Sequence, residues 1–274
     1  MSARRGLPVV CCDLDGVVWR GEEAVAGAAG GVARLREAGL GVAFLTNNSS
    51  QPVAAVVAKL EAMGIAAEPD TVLTSALAAA ALLEAELPAG ARVFACAGAG
   101  VVEALAAAGL EPVDRAPAEA VVVGWHRTFD FDELDRAAAL VRDDARFVAT
   151  NIDATYPVSG GLLPGAGSLV AAVATASGRA PEVAGKPELP TVALVRRRLG
   201  DVGVIVGDRP STDGTLADAL GWPFALVLSG VTGRHAPPGG EPVPDPEPPF
   251  VADDLAALAP QLVASLASSQ ERPS

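Results

Sequence analysis

The stretch VVCCDLDGVVWRG, from Val9 to Gly21, joins an apolar run to two carboxylates, Asp13 and Asp15, that stand one residue apart. The length and β-branched content of the run predict a buried strand that ends at the carboxylates. Asp and Gly are also common turn residues, so a simple turn would explain the stretch equally well. Alternate residues of an extended chain point to the same side, and Asp13 and Asp15 can therefore face one ligand. The rest of the chain decides between a turn and a site.

The order of the other segments predicts an α/β fold built on a parallel sheet. Apolar runs of strand length alternate with helical stretches, which is typical of parallel strands covered on both faces. Residues 40–48 (LGVAFLTNN) and 202–208 (VGVIVGD) are two further strands, each followed by polar residues. The middle of the chain has its own strands and helices. We expect residues 77–181 to form an inserted α/β unit, and residues 1–76 and 182–274 to form a discontinuous core domain.

Composition limits the classes of partner. Half of the 274 residues are hydrophobic and 4% are aromatic, which predicts a core built mainly of Ala, Val and Leu. The formal charge of −13 disfavours nucleic acid and anionic membranes, so a bound anion would need a metal or a few local cations. Three cysteines without framework spacing predict a reducing compartment, and no apolar run approaches the roughly 20 residues that span a bilayer. We expect a soluble, cytoplasmic protein.

Polar residues stand where the predicted strands end. Ligands of an open parallel sheet bind beyond the carboxyl ends of its strands, so these residues are candidates for one shared site. Each group alone is also explained as a turn or a helix cap, and only their order and placement together favour a site. The candidates are Asp13 and Asp15 after the first strand, Thr46, Asn47 and Asn48 after the second, Lys186 in VAGKPELP, and Asp208 with Asp213 in VIVGDRPSTDG.

These residue types suit phosphoryl transfer. One carboxylate can attack phosphorus and form an acyl-phosphate, while a second protonates the leaving oxygen and later deprotonates water. Mg²⁺ prefers oxygen ligands and would reduce the repulsion between carboxylate and phosphate. Its predicted ligands are Asp13, the main-chain carbonyl of Asp15, and Asp208.

The remaining candidates would surround the phosphoryl group. Lys186 supplies a positive charge, and Thr46 supplies donors together with the backbone N–H groups that follow it. Asp213 would orient the metal ligands or Lys186 without binding the ion itself. Trp19 is expected to pack as a hydrophobic wall near the mouth of the site.

The sequence resembles the haloacid dehalogenase-like (HAD) hydrolase superfamily. DLDGVVWRG, LTNNSS, GKPELP and VGDRPSTDG correspond, in order, to its four motifs. ATNIDATYP, LLPGAGSLVAAVATASGR and VLSGVT bring the resemblance closest to the NagD-like (class IIA) branch, which includes pyridoxal phosphate and phosphoglycolate phosphatases. The resemblance covers nearly the whole chain, from Pro8 to Leu262.

The resemblance implies a fold and a set of roles. The fold is a Rossmann-like core with an α/β cap of the C2 type inserted between the second and third motifs, in agreement with the inserted middle unit. Relatives often dimerise through this cap, which makes a homodimer an expectation. Tyr156 would meet the substrate from the cap. The implied roles are Asp13 as nucleophile, Asp15 as acid and base, Asp13, Asp15 and Asp208 as Mg²⁺ sites, and Thr46, Asn47, Asn48 and Lys186 as phosphate ligands.

Some positions depart from the pattern or have simpler explanations. Ser211 stands where the branch usually has an acid, and Gly214 is expected to loosen the start of a helix predicted over 211–221 (STDGTLADALG). His126 and His235 lack metal-ligand spacing to a partner and are predicted to be surface loop residues.

The predicted function is a Mg²⁺-dependent phosphatase that hydrolyses a small-metabolite phosphomonoester through an aspartyl-phosphate. A phosphomutase or another phosphotransferase would use the same intermediate and stays open. A non-catalytic metabolite-binding protein would have lost one of the key residues, and all are present. Dehalogenation has no need of Asp15, and phosphonate cleavage needs a cap lysine that residues 77–181 lack. Sugar phosphates, nucleoside monophosphates, phosphoglycolate and pyridoxal phosphate remain open as substrates.

Overall fold

The computed structural model of the protein describes residues 8–158, 161–233 and 240–270. Their contacts divide the chain into two compact units. As far as these ranges are described, the first unit comprises Met1–Leu45, Val57–Val72 and Val195–Ser274, and the second comprises Thr46–Val56 and Leu73–Leu194. The assignment of residues 77–181 to an inserted cap stays a prediction.

Strands and helices alternate along the chain, as the apolar pattern predicts. The strands are β1 (Val9–Asp13), β2 (Trp19–Arg20), β3 (Glu23–Ala24), β4 (Gly41–Thr46), β5 (Val72–Thr74), β6 (Arg92–Cys96), β7 (Glu111–Val113), β8 (Ala120–Val123), β9 (Arg146–Ala149), β10 (Thr155–Val158), β11 (Gly161–Pro164), β12 (Glu182–Val183), β13 (Gly203–Gly207), β14 (Phe224–Val227), β15 (Thr232–Gly233), β16 (Glu241–Pro242) and β17 (Phe250–Ala252). The α-helices are α1 (Ala28–Glu37), α2 (Val53–Ala62), α3 (Ser75–Glu86), α4 (Ala99–Ala107), α5 (Phe131–Arg142), α6 (Ala166–Ser177), α7 (Leu189–Leu199), α8 (Thr215–Leu220) and α9 (Leu255–Gln270). A 3₁₀ turn spans Pro69–Thr71.

A six-stranded sheet carries the first group of candidate residues. Its strand order is β17-β14-β13-β1-β4-β5, and β1 lies between β13 and β4, parallel to both. Val10 is level with Val204 on one side and Val42 on the other. Because β1 and β13 run in the same direction, both deliver the residues at their carboxyl ends to the same edge of the sheet. The predicted class, a parallel α/β fold, is confirmed.

The second unit has a parallel sheet of its own, in the order β12-β9-β8-β6-β7. The four residues of β8 are all buried, as expected for a central strand made of AVVV. Helices α5 and α6 pack over this sheet, and Phe94, Val121, Leu140 and Val173 belong to one apolar cluster beneath them. Asp130 caps α5 by accepting a hydrogen bond from the Glu133 N–H at 2.8 Å.

The fourth motif folds differently from the single helix predicted over 211–221. Pro210–Gly214 forms a π-helical turn, and α8 begins only at Thr215. The Thr215 N–H bonds the Pro210 carbonyl across this wide turn. A Cβ at Gly214 would lie 3.3 Å from the Phe224 ring, so a bulkier residue there would crowd β14. Residues 211–214 are thus helical, as predicted, but form a π turn rather than the first turn of α8, and the loosening expected from Gly214 stays a prediction.

Among the residues described, no helix has the length and apolar character that crossing a membrane requires.

Candidate active site

Three aspartates from the first unit form a compact cluster. Asp13 ends β1, Asp208 follows β13, and Asp213 lies in the turn that precedes α8. One carboxylate oxygen from each lies within 4.8 Å of the others. The side chains are buried, with 9%, 3% and 1% of each residue exposed. The structure thus brings together Asp13 and Asp208, which the sequence offered as metal ligands, and adds Asp213 to them.

Glycines make room for this cluster. Gly16 has φ of +91°, and a Cβ there would overlap the carboxylate of Asp208. A side chain at Gly230 would overlap Asp208 as well, and one at Gly207 would overlap Asp213. The Gly after the two acids of DLDG is therefore explained by close packing against Asp208 as well as by the turn.

Backbone donors orient two of the carboxylates. The Val231 N–H donates to Oδ2 of Asp208 at 2.6 Å, and the Arg209 N–H donates to Oδ2 of Asp213 at 3.2 Å. Burial nevertheless raises the pKa of Asp208 to about 8, and the neighbouring charges of Asp13 and Asp213 add to the rise. The three carboxylates are buried, repel one another and offer only oxygen atoms as metal ligands. Such a cluster fits a divalent cation such as Mg²⁺.

The carboxylate of Asp15 has a different environment. The indole Nε1–H of Trp19 donates to its Oδ1 at 3.0 Å. Nζ of Lys59 lies 4.6 Å from the centre of a Trp19 ring and donates to the Gly21 carbonyl at 2.6 Å. Trp19, expected to be only an apolar wall, is therefore also a polar partner of the predicted acid and base. The spacing of Asp15 and Trp19 in the sequence did not predict this hydrogen bond.

The position of Ser211 is also explained by a contact that is remote in sequence. Its backbone N–H and hydroxyl donate to the two carboxylate oxygens of Glu241 at 3.0 and 2.5 Å. Nε of Arg209 lies 4.0 Å from the same carboxylate. The acid that the branch usually carries at position 211 is absent, and Glu241 of β16 supplies a carboxylate to this turn instead.

The second unit contains the other predicted residues, and Asn47 is the centre of their hydrogen bonds. Its Oδ1 accepts from the Lys186 N–H at 2.8 Å, and its Nδ2 donates to the Lys186 carbonyl at 3.3 Å and to Asp153 Oδ2 at 3.2 Å. A Cβ at Gly185 would lie 2.7 Å from Asn47 Oδ1, so glycine permits this approach. The Asn47 side chain thus fixes the backbone around the buried Lys186.

Asn48 and Thr46 complete the TNNSS segment. Thr46, the last residue of β4, is buried and accepts a hydrogen bond from the Asn48 N–H at 3.0 Å. The Asn48 side chain donates to the Tyr156 hydroxyl at 3.2 Å. The Tyr156 ring lies 4.9 Å from that of Trp125, whose Nε1–H donates to the Pro164 carbonyl at 2.9 Å. The position of Tyr156 is therefore fixed by a hydrogen bond to its hydroxyl from Asn48 and by the contact of its ring with Trp125.

His126 lies in a loop between β8 and α5, as predicted, but the prediction that it lies at the surface was wrong. Only 7% of its side chain is exposed, and its ring bonds Glu133 at 2.8 Å. The glutamate lies seven residues further along, in the first turn of α5, where only the fold brings it near the ring. His235, the other histidine, lies outside the described residues.

The comparisons with known proteins agree with this geometry. A model for haloacid dehalogenase-like hydrolases matches residues 10–111, and a HAD-hydrolase-like model matches residues 183–258. The D-glycerol 3-phosphate phosphatase of Mycobacterium tuberculosis is 40% identical over 252 residues, which cover 90% of this chain and 69% of that protein. The chain belongs to the haloacid dehalogenase-like hydrolase family. The predicted resemblance to the HAD hydrolases is therefore confirmed.

Solved structures of HAD hydrolases indicate the branch of the family to which the chain belongs. The crystal structure of glycerol phosphate phosphatase from M. tuberculosis in complex with magnesium has a TM-score of 0.81 and 37% identity, and covers 92% of this chain and 77% of that one. NagD from Escherichia coli K-12 has a TM-score of 0.77 and 29% identity, and covers 92% and 98% of the two chains. The predicted placement in the NagD-like branch is confirmed.

Proposed function

We propose that the chain is a Mg²⁺-dependent phosphatase that hydrolyses the phosphomonoester of a small metabolite. The observation that carries the proposal is the cluster of three buried carboxylates, two of which, Asp13 and Asp208, lie at the carboxyl ends of adjacent parallel strands. Asp15 follows two residues after Asp13. Membership of the HAD hydrolases and the magnesium bound in a relative's structure support it. Asp13, Asp208 and the main-chain carbonyl of Asp15 would hold the ion.

The two acids of DLDG take different roles in the proposed reaction. A carboxylate oxygen of Asp13 attacks phosphorus, and the P–O bond to the metabolite breaks to give an aspartyl-phosphate. Asp15 gives its proton to the departing alkoxide oxygen. It then takes a proton from water, whose oxygen attacks phosphorus and releases inorganic phosphate and the free Asp13 carboxylate. The Trp19 indole holds Asp15 in one orientation during both proton transfers.

When bound, Mg²⁺ offsets the negative charge of the phosphate and of the carboxylate that attacks it. Asp213 accepts the Arg209 N–H and packs against Gly207, which fixes its carboxylate beside Asp208. We therefore assign Asp213 to the support of the ligands. Its negative charge also favours retention of a cation by the cluster.

Thr46 and Lys186 are proposed to hold the phosphate through their side chains. For Asn47 and Asn48 the hydrogen bonds support an indirect contribution. The Asn47 amide is engaged with Lys186 and Asp153, and the Asn48 amide with Tyr156 and Ser50. We propose that these two asparagines position Lys186 and Tyr156, and that Tyr156 contacts the organic part of the substrate.

Glycerol 3-phosphate is the first substrate to test, because relatives named for glycerol phosphates match most of the chain. Phosphate release should be measured for glycerol 3-phosphate, sugar phosphates, nucleoside monophosphates, phosphoglycolate and pyridoxal phosphate, with Mg²⁺ and with a chelator. We expect Mg²⁺-dependent release that Asp13→Asn abolishes. Transfer of the phosphoryl group to a second hydroxyl without release would favour a phosphomutase. Binding of a metabolite without either reaction would favour a non-catalytic protein.

The remaining expectations concern partners and location. The charge of −13 supports the absence of nucleic-acid partners, and the three cysteines without framework spacing support a cytoplasmic location. A homodimer formed through the cap rests on the resemblance alone. Sedimentation of the purified chain would test the dimer, and fractionation of cells would test the location.

A further inference from the structure

Cys96, His126 and Glu133 form a second cluster of metal-binding side chains, apart from the residues assigned to phosphate hydrolysis. Cys96 ends β6, His126 follows β8, and Glu133 lies in the first turn of α5. Their sulfur, ring nitrogen and carboxylate oxygen all lie within 4.8 Å of one another. Cys96 is fully buried, while 7% of the His126 side chain and 17% of the Glu133 side chain are exposed.

The imidazole of His126 is oriented as metal-binding histidines are. Its Nδ1 lies 3.0 Å from the Gly124 carbonyl, which can only accept, so Nδ1 carries a proton. The other ring nitrogen, Nε2, faces Glu133 and lies 2.8 Å from its Oε2. A hydrogen bond from the distal ring nitrogen to a carbonyl is the usual device that fixes the tautomer of a histidine ligand. Phe129 meets the ring edge-on, with 5.9 Å between ring centres.

We propose that Cys96, His126 and Glu133 bind one Zn²⁺ ion, with water as the fourth ligand. Ligands of a tetrahedral zinc lie about 3.3–3.8 Å from one another, given bonds of about 2.0–2.3 Å, so the cluster needs only small side-chain movements. Thiolate and imidazole select zinc, whereas Mg²⁺ prefers the oxygen donors of the aspartate cluster. The two sites therefore differ in the metal they take.

Protons occupy the cluster when no ion is bound. Burial raises the pKa of the Cys96 thiol, and the charge of Glu133 raises it further. Burial alone would lower the pKa of His126, but hydrogen bonds to Glu133 and Gly124 outweigh it and raise the pKa. Glu133 thus accepts from both neighbours. Zinc would displace both the thiol proton of Cys96 and the Nε2 proton of His126, which pass to solvent, and would replace this network with bonds to the same three side chains.

Such an ion would stabilise the second unit. It would fasten the end of β6, the residues after β8 and the start of α5 to one centre, all of which border the apolar cluster around Phe94 and Leu140. None of the three ligands is assigned to phosphate hydrolysis, so loss of zinc and loss of the proposed phosphatase activity are separable.

Cobalt provides the test, because a thiolate–Co²⁺ bond absorbs in the near ultraviolet and oxygen ligands give no such band. The full chain is titrated with Co²⁺ in the presence of excess Mg²⁺, which occupies the aspartate cluster. We expect a thiolate band that saturates near one equivalent and disappears when Zn²⁺ is added. Cys96→Ser should abolish the band, and Cys12→Ala, which removes another buried thiol, should keep it.

His126→Gln and Glu133→Gln keep Cys96 and provide the second measurement. Each should weaken Co²⁺ binding at least about tenfold while far-ultraviolet circular dichroism shows the native fold. The proposal is overturned if no thiolate band forms with Co²⁺ in large excess, if the band persists in Cys96→Ser, or if both glutamine variants bind Co²⁺ as tightly as the parent chain.

Discussion

The indole N–H of Trp19 donates a hydrogen bond of 3.0 Å to Oδ1 of Asp15, the residue predicted to act first as acid and then as base. Lys59 covers the same indole and bonds the Gly21 carbonyl, which fixes the ring in turn. A carboxyl group that first donates a proton and then, as the carboxylate, accepts one benefits from one fixed orientation. Trp19 is therefore a positioning residue in the proposed reaction.

Replacement of this indole tests that role. Trp19→Phe should lower kcat about tenfold or more with little change in KM, because a hydrogen bond to a charged group is worth about 1.5–3 kcal/mol. Steady-state hydrolysis of p-nitrophenyl phosphate measures both constants. Trp222→Phe is the matched control, since Trp222 donates to the Asp201 carbonyl at 2.9 Å in the same unit. Equal kcat values for the two variants would contradict the role.

The raised pKa of Asp208 predicts how stability depends on pH when the metal is removed. Between pH 3.8 and about 8 the folded chain keeps a proton on Asp208 that the unfolded chain has lost. Raising the pH through this range therefore favours the unfolded chain, and the free energy of unfolding contributed by this group falls. Thermal unfolding in a chelator should show the fall, and Mg²⁺ should diminish it.

Asp208→Asn is the control for that pH dependence, because an amide does not titrate. The variant should lose the part of the slope that Asp208 causes, together with the part that comes from its repulsion of Asp13 and Asp213. Identical slopes for the parent and the variant in chelator would show that Asp208 does not carry the raised pKa.

Asn47 should affect phosphate binding through Lys186. Asn47→Ala removes its bonds to both the N–H and the carbonyl of Lys186. We expect the variant to lose about 1–3 kcal/mol of stability and to be inhibited more weakly by inorganic phosphate. Asn48→Ala, whose side chain bonds Tyr156, should change KM for large substrates more than inhibition by phosphate. Equal phosphate inhibition in Asn47→Ala and the parent chain would contradict this role.

Glu241 should support the turn that carries Asp213. Glu241→Ala removes the acceptor of both Ser211 bonds, and a partly exposed charged contact of this kind is worth ~1 kcal/mol. The Mg²⁺ concentration for half-maximal activity should therefore rise up to about fivefold. Asp253→Ala, which removes an exposed acid of the same unit, should leave it unchanged. A similar rise in both variants would point to a general effect of charge.

The sequence was sufficient to predict that Asp13 and Asp208 lie together, because their position follows from the sheet topology. Asp13 and Asp208 follow continuous apolar runs, and parallel pairing of those runs necessarily places both residues at one edge of the sheet. The same reasoning cannot describe how a turn is wound. The π-helical turn at Pro210–Gly214 lies beside Phe224 of β14, ten residues after Gly214, and the apolar pattern does not predict that neighbour.

Contacts between residues far apart in the sequence explain the other features of the structure that the sequence analysis did not predict. Cys96, His126 and Glu133 have no motif spacing, and the pairing of β6 with β8 brings them together. The Asn47 side chain was predicted to hold phosphate, a prediction that stays untested, yet its donors and acceptor are engaged by Lys186 and Asp153. Side-chain partners of this kind follow from three-dimensional packing, which spacing along the chain does not encode.

The central claim is that Asp13 takes a phosphoryl group onto its own carboxylate. In Asp15→Asn the first step still proceeds with p-nitrophenyl phosphate, whose leaving group needs no proton, while hydrolysis of the intermediate lacks its base. Rapid mixing of this variant with substrate and Mg²⁺, followed by borohydride reduction and peptide mass spectrometry, should give a burst near one equivalent of nitrophenol and homoserine at position 13. No burst, or reduction at a residue other than Asp13, would contradict the account.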